Sequence, residues 1–243
     1  MARVSKKAAT EAVNVNVSTL SFEPTIVRVR VLFVENVLGT APNAEIYEEF
    51  LAKNAPDAPT RKEEVEALGV DEMVEKGTTI FPRMKDGSPF IYDYQWKGFF
   101  KEKCSFLKKV TGSISGKITA HKKKIDGTIF VFPRKCKITY VGDIDLCQRP
   151  LRASTAQGDR VALSCSEEIA RRSMCEFNVK CMVPGDDKAV REWLNYGEYH
   201  GTGQWRNSGK GKFLWQELDD AGNVIGGNYT EEHYQELLAE AEA

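Results

Sequence analysis

The alternation of apolar and polar residues along the chain predicts the core strands. Residues 26–34 place Val27, Val29, Val31 and Phe33 on one face and Arg28 and Arg30 on the other. This period of two is typical of a half-buried strand. Residues 128–133 and 135–141 predict a strand pair, and residues 212–218 predict a last strand. The clearest alternation lies in residues 173–183, where one face holds Cys175, Phe177, Val179, Cys181 and Val183.

Helical spacing of apolar residues predicts two core helices. The first covers residues 92–110 and has a basic outer side. We interpret its apolar stripe as core packing, formed by Tyr92, Trp96, Phe99, Phe100, Phe106, Leu107 and Val110. The second helix begins with Asp186 as its N-cap and ends near Gly197. Its apolar side consists of Ala189, Val190, Trp193 and Leu194.

The order of these elements predicts the fold class. With insertions removed, the order fits a β-α-β-β-α-β pattern, which is ferredoxin-like. We therefore expect an α+β fold with a ferredoxin-like (RRM-like) antiparallel sheet, insertions and an acidic C-terminal tail. All helices are expected on one face of the sheet, which leaves the other face open to a ligand.

The length of 243 residues suits one elaborated domain. We expect a loose N-terminal arm at 1–20, a single domain at 21–218 and an acidic tail at 219–243. An acidic helical insertion is predicted at 44–90, with two short helices in 44–76, a short strand at 78–83 and a turn at 85–89. Residues 141–165 predict a long hairpin.

The net charge is only -1, but the acidic and the basic residues are concentrated in different segments of the chain. Residues 97–137 contain twelve Lys or Arg and two acidic residues, whereas residues 216–243 contain eight acidic residues and no Lys or Arg. Residues 45–76 hold ten acidic residues against four bases. A basic middle attracts polyanions, and acidic flanks favour a basic protein surface.

Several classes of protein are not favoured by the sequence. No apolar run is long enough for a transmembrane helix, and no secretory signal is evident. The six cysteines include no C-x-x-C pair, and the three histidines are far apart. We therefore expect reduced thiols, a cytoplasmic location, no metal and no cofactor.

Residues 201–213, GTGQWRNSGKGKF, combine two G-x-G pairs with three cations and two aromatic residues. The stretch fails the P-loop pattern, because Gln204 and Gly211 stand at its ends. It also fails the dinucleotide fingerprint, because Arg206 replaces the third glycine and the order is helix, loop, strand.

The spacing G-x-G-x5-G-x-G between the last core helix and the last strand resembles the C-terminal glycine-rich loop of the RAMP superfamily. These are RNA-binding proteins of CRISPR systems, and they include guide-processing endoribonucleases and effector backbone subunits. The resemblance implies a ferredoxin-like fold, RNA binding and head-to-tail assembly along the strand. A phage or mobile-element relative of this fold fits the acidic segments equally well, in a bacterial cell or a phage-infected host.

Two groups of residues are predicted to bind nucleic acid. Glycines let backbone N–H groups approach phosphates, arginine clamps phosphate or stacks on a base, and tryptophan stacks on bases. The alternatives are a tight turn for the loop and a solvated hairpin tip for residues 115–127. The loop group is Gly201, Gly203, Trp205, Arg206, Gly209, Lys210, Gly211 and Lys212, and the central basic group is Lys117, Lys122, Lys123, Lys124, Arg134 and Lys135.

Three functions remain open from the sequence. The first is non-catalytic binding of single-stranded nucleic acid, RNA rather than DNA, with self-assembly through the acidic 44–76 region. The second is a metal-independent endoribonuclease, for which His121 or His200 would be the general base. The third is a phage protein-interaction factor whose acidic tail binds a partner and blocks or mimics a host nucleic-acid-binding complex.

Overall fold

The computed structural model describes residues 23–42, 78–155 and 158–242, with the side chains of 151–163 excepted. The predicted N-terminal arm at 1–20 and the predicted acidic helices of 44–76 lie outside this part of the chain. The predicted self-assembly through 44–76 therefore stays a prediction.

The described strands form two sheets. The main sheet is antiparallel, has seven strands and runs in the order β12–β11–β1–β10–β7–β5, with β6 also paired to β10. The strands are β1 Thr25–Phe33, β2 Val37–Leu38, β3 Ala41–Pro42, β4 Thr79–Ile80, β5 Phe90–Tyr92, β6 Ile129–Phe132, β7 Lys135–Thr139, β8 Asp145–Thr155, β9 Gly158–Ile169, β10 Met174–Cys181, β11 Phe213–Leu218 and β12 Val224–Gly227.

Strand β1 lies at the centre of the main sheet, between β10 and β11. Its inward residues Val27 and Val29 pair in register with Val179 and Phe177 of β10, and all four are buried. This confirms the predicted alternation of both strands. Val183 lies beyond the end of β10 and is exposed, because the strand stops at Cys181.

Four helices are described: α1 Asp93–Leu107, α2 His121–Thr128, α3 Asp186–Asn195 and α4 Glu231–Glu242. Helices α1 and α3 cover the inner face of the sheet. The Trp96 ring of α1 stacks on Phe177 at 4.3 Å between centroids, and Phe100 lies 5.6 Å from the Trp193 ring of α3. Trp96, Phe99, Phe100 and Leu107 of the predicted stripe are therefore core, as the sequence predicts.

The sequence overestimates the length of the first helix. Helix α1 ends at Leu107, and the side chains of Phe106 and Val110 are exposed. Inside the core the structure instead places Lys103 and Cys104, neither of which has any exposed surface. Phe106 packs on the ring of His200 at 5.4 Å.

The alternative interpretation of residues 115–127, a solvated hairpin tip, is wrong. This segment forms a 3₁₀ helix, Ser115–Lys117, followed by α2, which lies antiparallel to α1. Ile125 is the buried apolar residue that anchors α2 to the core. The lysines of α2 are good helix formers, so a helix with one buried residue is reasonable here.

The expectation that all helices lie on one face is also wrong. Residues 219–242 add β12 to the sheet and place α4 on its opposite face. Tyr234 and Leu238 of α4 pack against Val34 and Leu214, and the Tyr234 hydroxyl donates a hydrogen bond to the carbonyl of Phe33 at 3.2 Å. The acidic tail is therefore folded onto the sheet through its apolar side.

The second sheet is not predicted from the sequence. Its order is β2–β9–β4–β3, with β8 paired to β9, and the contact between β4 and β9 is parallel. The predicted long hairpin is confirmed as β8–β9, paired from Asp145 with Glu168 to Thr155 with Gly158. Strands β2 and β4 pair with the base of this hairpin, at residues 166–169.

Candidate nucleic-acid interface

Two glycines of the loop, Gly201 and Gly211, lie where two backbone segments cross in close contact. The Thr202 N–H donates a hydrogen bond to the Gly211 carbonyl at 3.0 Å, and the Gly211 N–H donates to the Asn36 carbonyl at 2.8 Å. A Cβ added to Gly201 would lie 2.1 Å from the Gly211 carbonyl, and one added to Gly211 would lie 2.0 Å from the Thr202 oxygen. Packing therefore requires glycine at both positions.

The other two glycines of the pattern have positive φ angles. Gly203 has φ +82° and Gly209 has φ +91°, and Gly209 ends a 3₁₀ turn at Arg206–Ser208. Left-handed backbone favours glycine, so the turn alone accounts for these two residues. The approach of phosphate to the loop stays a prediction.

Two of the three cations in the loop have carboxylate partners. Arg206 Nη2 lies 3.1 Å from Glu102 Oε1 on α1, and Lys210 Nζ lies 2.6 Å from Glu168 Oε1 on β9. Lys212 is half-buried, and its carbonyl accepts a hydrogen bond from the Val34 N–H at 3.0 Å. The loop is thus fixed to α1 and to the hairpin by ion pairs.

A partly buried group of charged side chains joins α1 to the loop. Lys103 Nζ donates to Glu102 Oε2 at 2.8 Å and also contacts His200 Nδ1. Burial lowers the pKa of Lys103 to about 8, against the opposing effect of Glu102. Burial, with Lys103 and Arg206 nearby, lowers the pKa of His200. The His200 imidazole is therefore neutral at neutral pH.

Sequence reasoning missed Lys103, although a signal for it was present. Lys103 lies four residues after Phe99 and three before Phe106, which places it on an aromatic side of the helix. Its ammonium group lies 4.7 Å from the Phe99 ring centroid and 5.7 Å from that of Phe106.

A cavity of about 290 Å³ lies beside this charged group. Its walls come from α1, the loop and strands β2 and β5. The apolar part includes Phe81, Phe90 and Phe99, and the polar part includes Gln95, Glu102 and Arg206. The Nε atom of Arg206 is buried and has no hydrogen-bond partner within the described ranges.

The cations around α2 differ from those of the loop. Lys117, Lys122 and Lys123 are exposed, and among the described residues they have no ion-pair partner. We call these three residues the α2 basic surface. Lys124 instead pairs with the buried Asp186 at 2.6 Å.

Arg134 and Lys135 lie at the opposite end of α1. The Arg134 carbonyl accepts a hydrogen bond from the Asp93 N–H at 2.9 Å, at the start of α1. The Lys135 ammonium lies 5.0 Å from the Phe90 ring centroid. Both side chains are exposed. The predicted central basic group therefore extends along the length of α1.

Helix α1 separates the central basic group from the loop. Lys97, Lys101 and Lys108 contact α2 residues, and at about 100° per residue they share one side of the helix. Glu102 contacts the loop and lies about 120° away from that side. The structure therefore does not place all predicted residues in one groove.

His121 begins α2 and faces the end of α1. Its Nδ1 lies 3.4 Å from Lys108 Nζ, and its Nε2 is buried without a hydrogen-bond partner in the described part of the chain. Desolvation, with Lys108 and Lys122 nearby, lowers the pKa of His121. His121 and His200 lie at separate places, so they do not form one pair of catalytic groups.

Trp205 is exposed at the tip of the loop, with a φ angle of +53°. The guanidinium carbon of Arg149, on β8, lies 4.7 Å from the centroid of the Trp205 ring. Sequence reasoning missed Arg149, since nothing in the β8 pattern links it to a loop more than fifty residues later.

The cysteines and the potential metal ligands among the described residues do not form a further functional site. All six cysteines are free, and burial raises the pKa of the Cys136 and Cys181 thiols to about 12. No group of three or more potential metal ligands occurs within residues 23–42, 78–155 and 158–242. Over the same ranges, no helix is both long enough and apolar enough to cross a membrane.

The chain is similar in structure to a chain of a known complex. No protein-family model and no curated protein matches the sequence. Among solved structures, a chain from the cryo-EM structure of the Type III-B Cmr-beta complex bound to cognate target RNA is similar, with a TM-score of 0.47 and 14% sequence identity. The match covers 82% of this chain and 60% of the other, so this chain spans less than two thirds of its neighbour.

Proposed function

We propose that this protein binds single-stranded nucleic acid, RNA in preference to DNA, without cleaving it. The observation that carries the proposal is the α2 basic surface, where Lys117, Lys122 and Lys123 are exposed and lack ion-pair partners among the described residues. Cations that are not neutralised by the protein release counterions when they bind phosphates, and this release drives association.

The proposed core is ferredoxin-like. The central strands β11, β1, β10 and β6 are neighbours in that order and are antiparallel throughout. In chain order these are the fourth, first, third and second strands of the predicted β-α-β-β-α-β unit, with α1 and α3 as its helices. The preference for RNA and the assembly along a strand follow the glycine-loop resemblance.

Binding of labelled oligonucleotides at several salt concentrations tests the proposal. We expect single-stranded RNA to bind more tightly than DNA of the same sequence. For K122A/K123A, we expect weaker binding and a salt slope that is smaller by about 1.4, since each phosphate contact to a single strand contributes about 0.7. The control K85A/K180A removes two cations outside the α2 basic surface, one on the turn before β5 and one on β10, and should leave the slope unchanged. Equal slopes for the two double variants would exclude the α2 basic surface as the phosphate site.

A second candidate function is a metal-independent endoribonuclease centred on His200. The observation that favours it is the contact of His200 Nδ1 with the Lys103 ammonium, with Arg206 nearby, because such cations would stabilise a developing negative charge on phosphate. We expect H200A to abolish any RNA cleavage that persists in EDTA. The control H121A changes the histidine at the start of α2, which contacts Lys108 and not His200, and it should retain cleavage. Cleavage that survives H200A excludes this candidate.

A further inference from the structure

Trp205 differs from every other tryptophan of the protein. Trp96, Trp193 and Trp215 are at most 1% exposed, whereas Trp205 is 42% exposed. An aromatic ring contributes hydrophobic and stacking free energy only where another group covers it. The exposure of Trp205 is therefore a reason to look for a ligand at this ring.

The loop holds the indole in one place. Gln204, which precedes Trp205, donates a hydrogen bond from Nε2 to the Thr79 hydroxyl at 3.2 Å. Arg206, which follows it, donates to the Gly203 carbonyl and to Glu102. With both neighbours fixed and its own φ angle at +53°, Trp205 presents a preorganised ring.

One face of the indole is already occupied by Arg149, whose guanidinium carbon lies 4.7 Å from the ring centroid. Across the described residues, no second ring or cation stacks on Trp205. The exposed surface of Trp205 therefore lies on the other face of the indole.

Arg149 is a buried cation with incomplete hydrogen bonding. It is 6% exposed, and its Nη2 donates to Gln204 Oε1 at 3.2 Å. In the described part of the chain, its Nε and Nη1 atoms have no acceptor, and no carboxylate forms an ion pair with it. A buried charge without a partner destabilises a fold, so its presence suits a site that meets an anionic ligand.

We propose that the free face of Trp205 stacks an unpaired nucleobase, and that Arg149, on the other face of the indole, is the positioning residue that supports the ring and whose charge favours an anionic ligand there. Every base has a flat π-face, so such a contact tolerates any sequence and favours single strands. Arginine suits this place because its planar cation stacks on aromatic rings. This inference rests on the proposed function and assigns a base contact to it.

Tryptophan fluorescence can report this contact by itself, because Trp205 is exposed and the other three tryptophans are buried. We would titrate the full-length protein with unlabelled twelve-nucleotide oligouridine and follow tryptophan emission. In parallel, anisotropy of the labelled strand would measure binding itself. We expect the wild type to show quenching that saturates with binding. W205A should lose the quenching and bind about tenfold more weakly, whereas W205F should lose the quenching but keep more of the affinity, because its ring can still stack.

Arg149 is tested by R149M, which keeps the packing of the side chain but removes its charge. We expect an unchanged or higher melting temperature and binding that is weaker by several fold, with R149K intermediate. A lower melting temperature with unchanged affinity would show that Arg149 is only structural and would overturn its role.

The outcomes separate this inference from the proposed function. Binding by anisotropy, without quenching in the wild type and with an unaffected W205A affinity, overturns the stacking site but leaves the proposed function standing. Absence of binding to any single strand overturns both.

Discussion

The ammonium group of Lys103 lies 2.8 Å from a carboxylate oxygen of Glu102, its neighbour in sequence, and has no exposed surface. The pair lies where α1 meets the loop, since Glu102 also binds Arg206 and Lys103 also contacts His200. Burial of the ammonium is the main reason why the pKa of Lys103 falls to about 8.

The Lys103 ammonium predicts a pH-dependent stability. Its pKa is about 8 in the fold and near 10.5 in the unfolded chain, so between these values the unfolded chain binds more protons. The contribution of Lys103 to stability is therefore least favourable below pH 8 and rises with pH up to about 10.5. Relative to K103M, the wild type should gain about 1–2 kcal/mol between pH 7.5 and 9.5, as measured by denaturant unfolding.

Comparison with K103M is needed because the buried thiols change the free energy of unfolding with pH in the opposite direction. Their raised pKa values make the fold lose stability as pH rises above their ordinary value of 9.0. Both proteins contain these thiols, so the effect cancels in the difference. K109M, which changes an exposed lysine just beyond the end of α1, should show no such shift with pH. A constant difference between wild type and K103M would contradict the prediction.

The backbone crossing in the loop predicts a large effect of a single methyl group. G201A would place a Cβ 2.1 Å from the Gly211 carbonyl, and we expect it to cost at least about 3 kcal/mol of unfolding free energy. G98A is the matched control, because a Cβ at this position in α1 meets nothing within 4 Å. We expect G98A to stabilise the protein by about 0.5–1 kcal/mol, since alanine favours helix. Similar melting temperatures for the two variants would be inconsistent with the crossing.

Thiol reactivity gives a direct test of burial. Cys147 is half-buried, while the other five cysteines are at most 5% exposed. We expect a thiol-reactive disulfide reagent to modify one cysteine rapidly in the native protein and six in denaturant. C147S should abolish the rapid phase. C165S, which changes a buried cysteine on the neighbouring strand, should retain it, and rapid reaction of two or more native thiols would disagree with the packing.

The C-terminal helix is predicted to contribute to global stability. L238A removes a side chain that is 2% exposed and packs with Val34 and Leu214, so we expect a loss of about 2–4 kcal/mol. E240A changes an exposed residue of the same helix and should stay within about 0.5 kcal/mol of the wild type. Urea unfolding of both variants measures the difference. An unchanged midpoint for L238A would mean that α4 is not docked on the sheet in solution.

The elements that the sequence predicts well are those with many buried positions. Strand β10 has neighbours on both sides and a helical layer on one face, so its alternation is strong from Cys175 to Cys181. Helix α2 gives no such signal, because Ile125 is its one buried residue. In α4, Tyr234 and Leu238 have the spacing of one helical face, but two residues do not specify which surface that face covers.

The candidate site is harder to predict because its contacts join distant parts of the chain. The glycine spacing identifies an unusual loop, but the contact of Gly201 with Gly211 depends on how the backbone crosses itself. Likewise, the cations of the loop are evident from the sequence, whereas their partners Glu102 and Glu168 are brought in from α1 and β9. Ion pairs between residues so far apart in sequence form only when the chain folds, so the sequence alone does not predict them.

The carboxylates that pair with Arg206 and Lys210 affect which anions the loop can bind. A phosphate that reached either cation would have to take the place of Glu102 or Glu168, so the event would be an exchange of one anion for another. Such an exchange frees few ions to the solvent, and its free energy would therefore hardly change with ionic strength. Small anions such as chloride compete poorly with a tethered carboxylate. A phosphate that bound the loop would therefore be selected by how well it fits the two cations, whereas the α2 basic surface, on the other side of α1, would attract anions by charge alone.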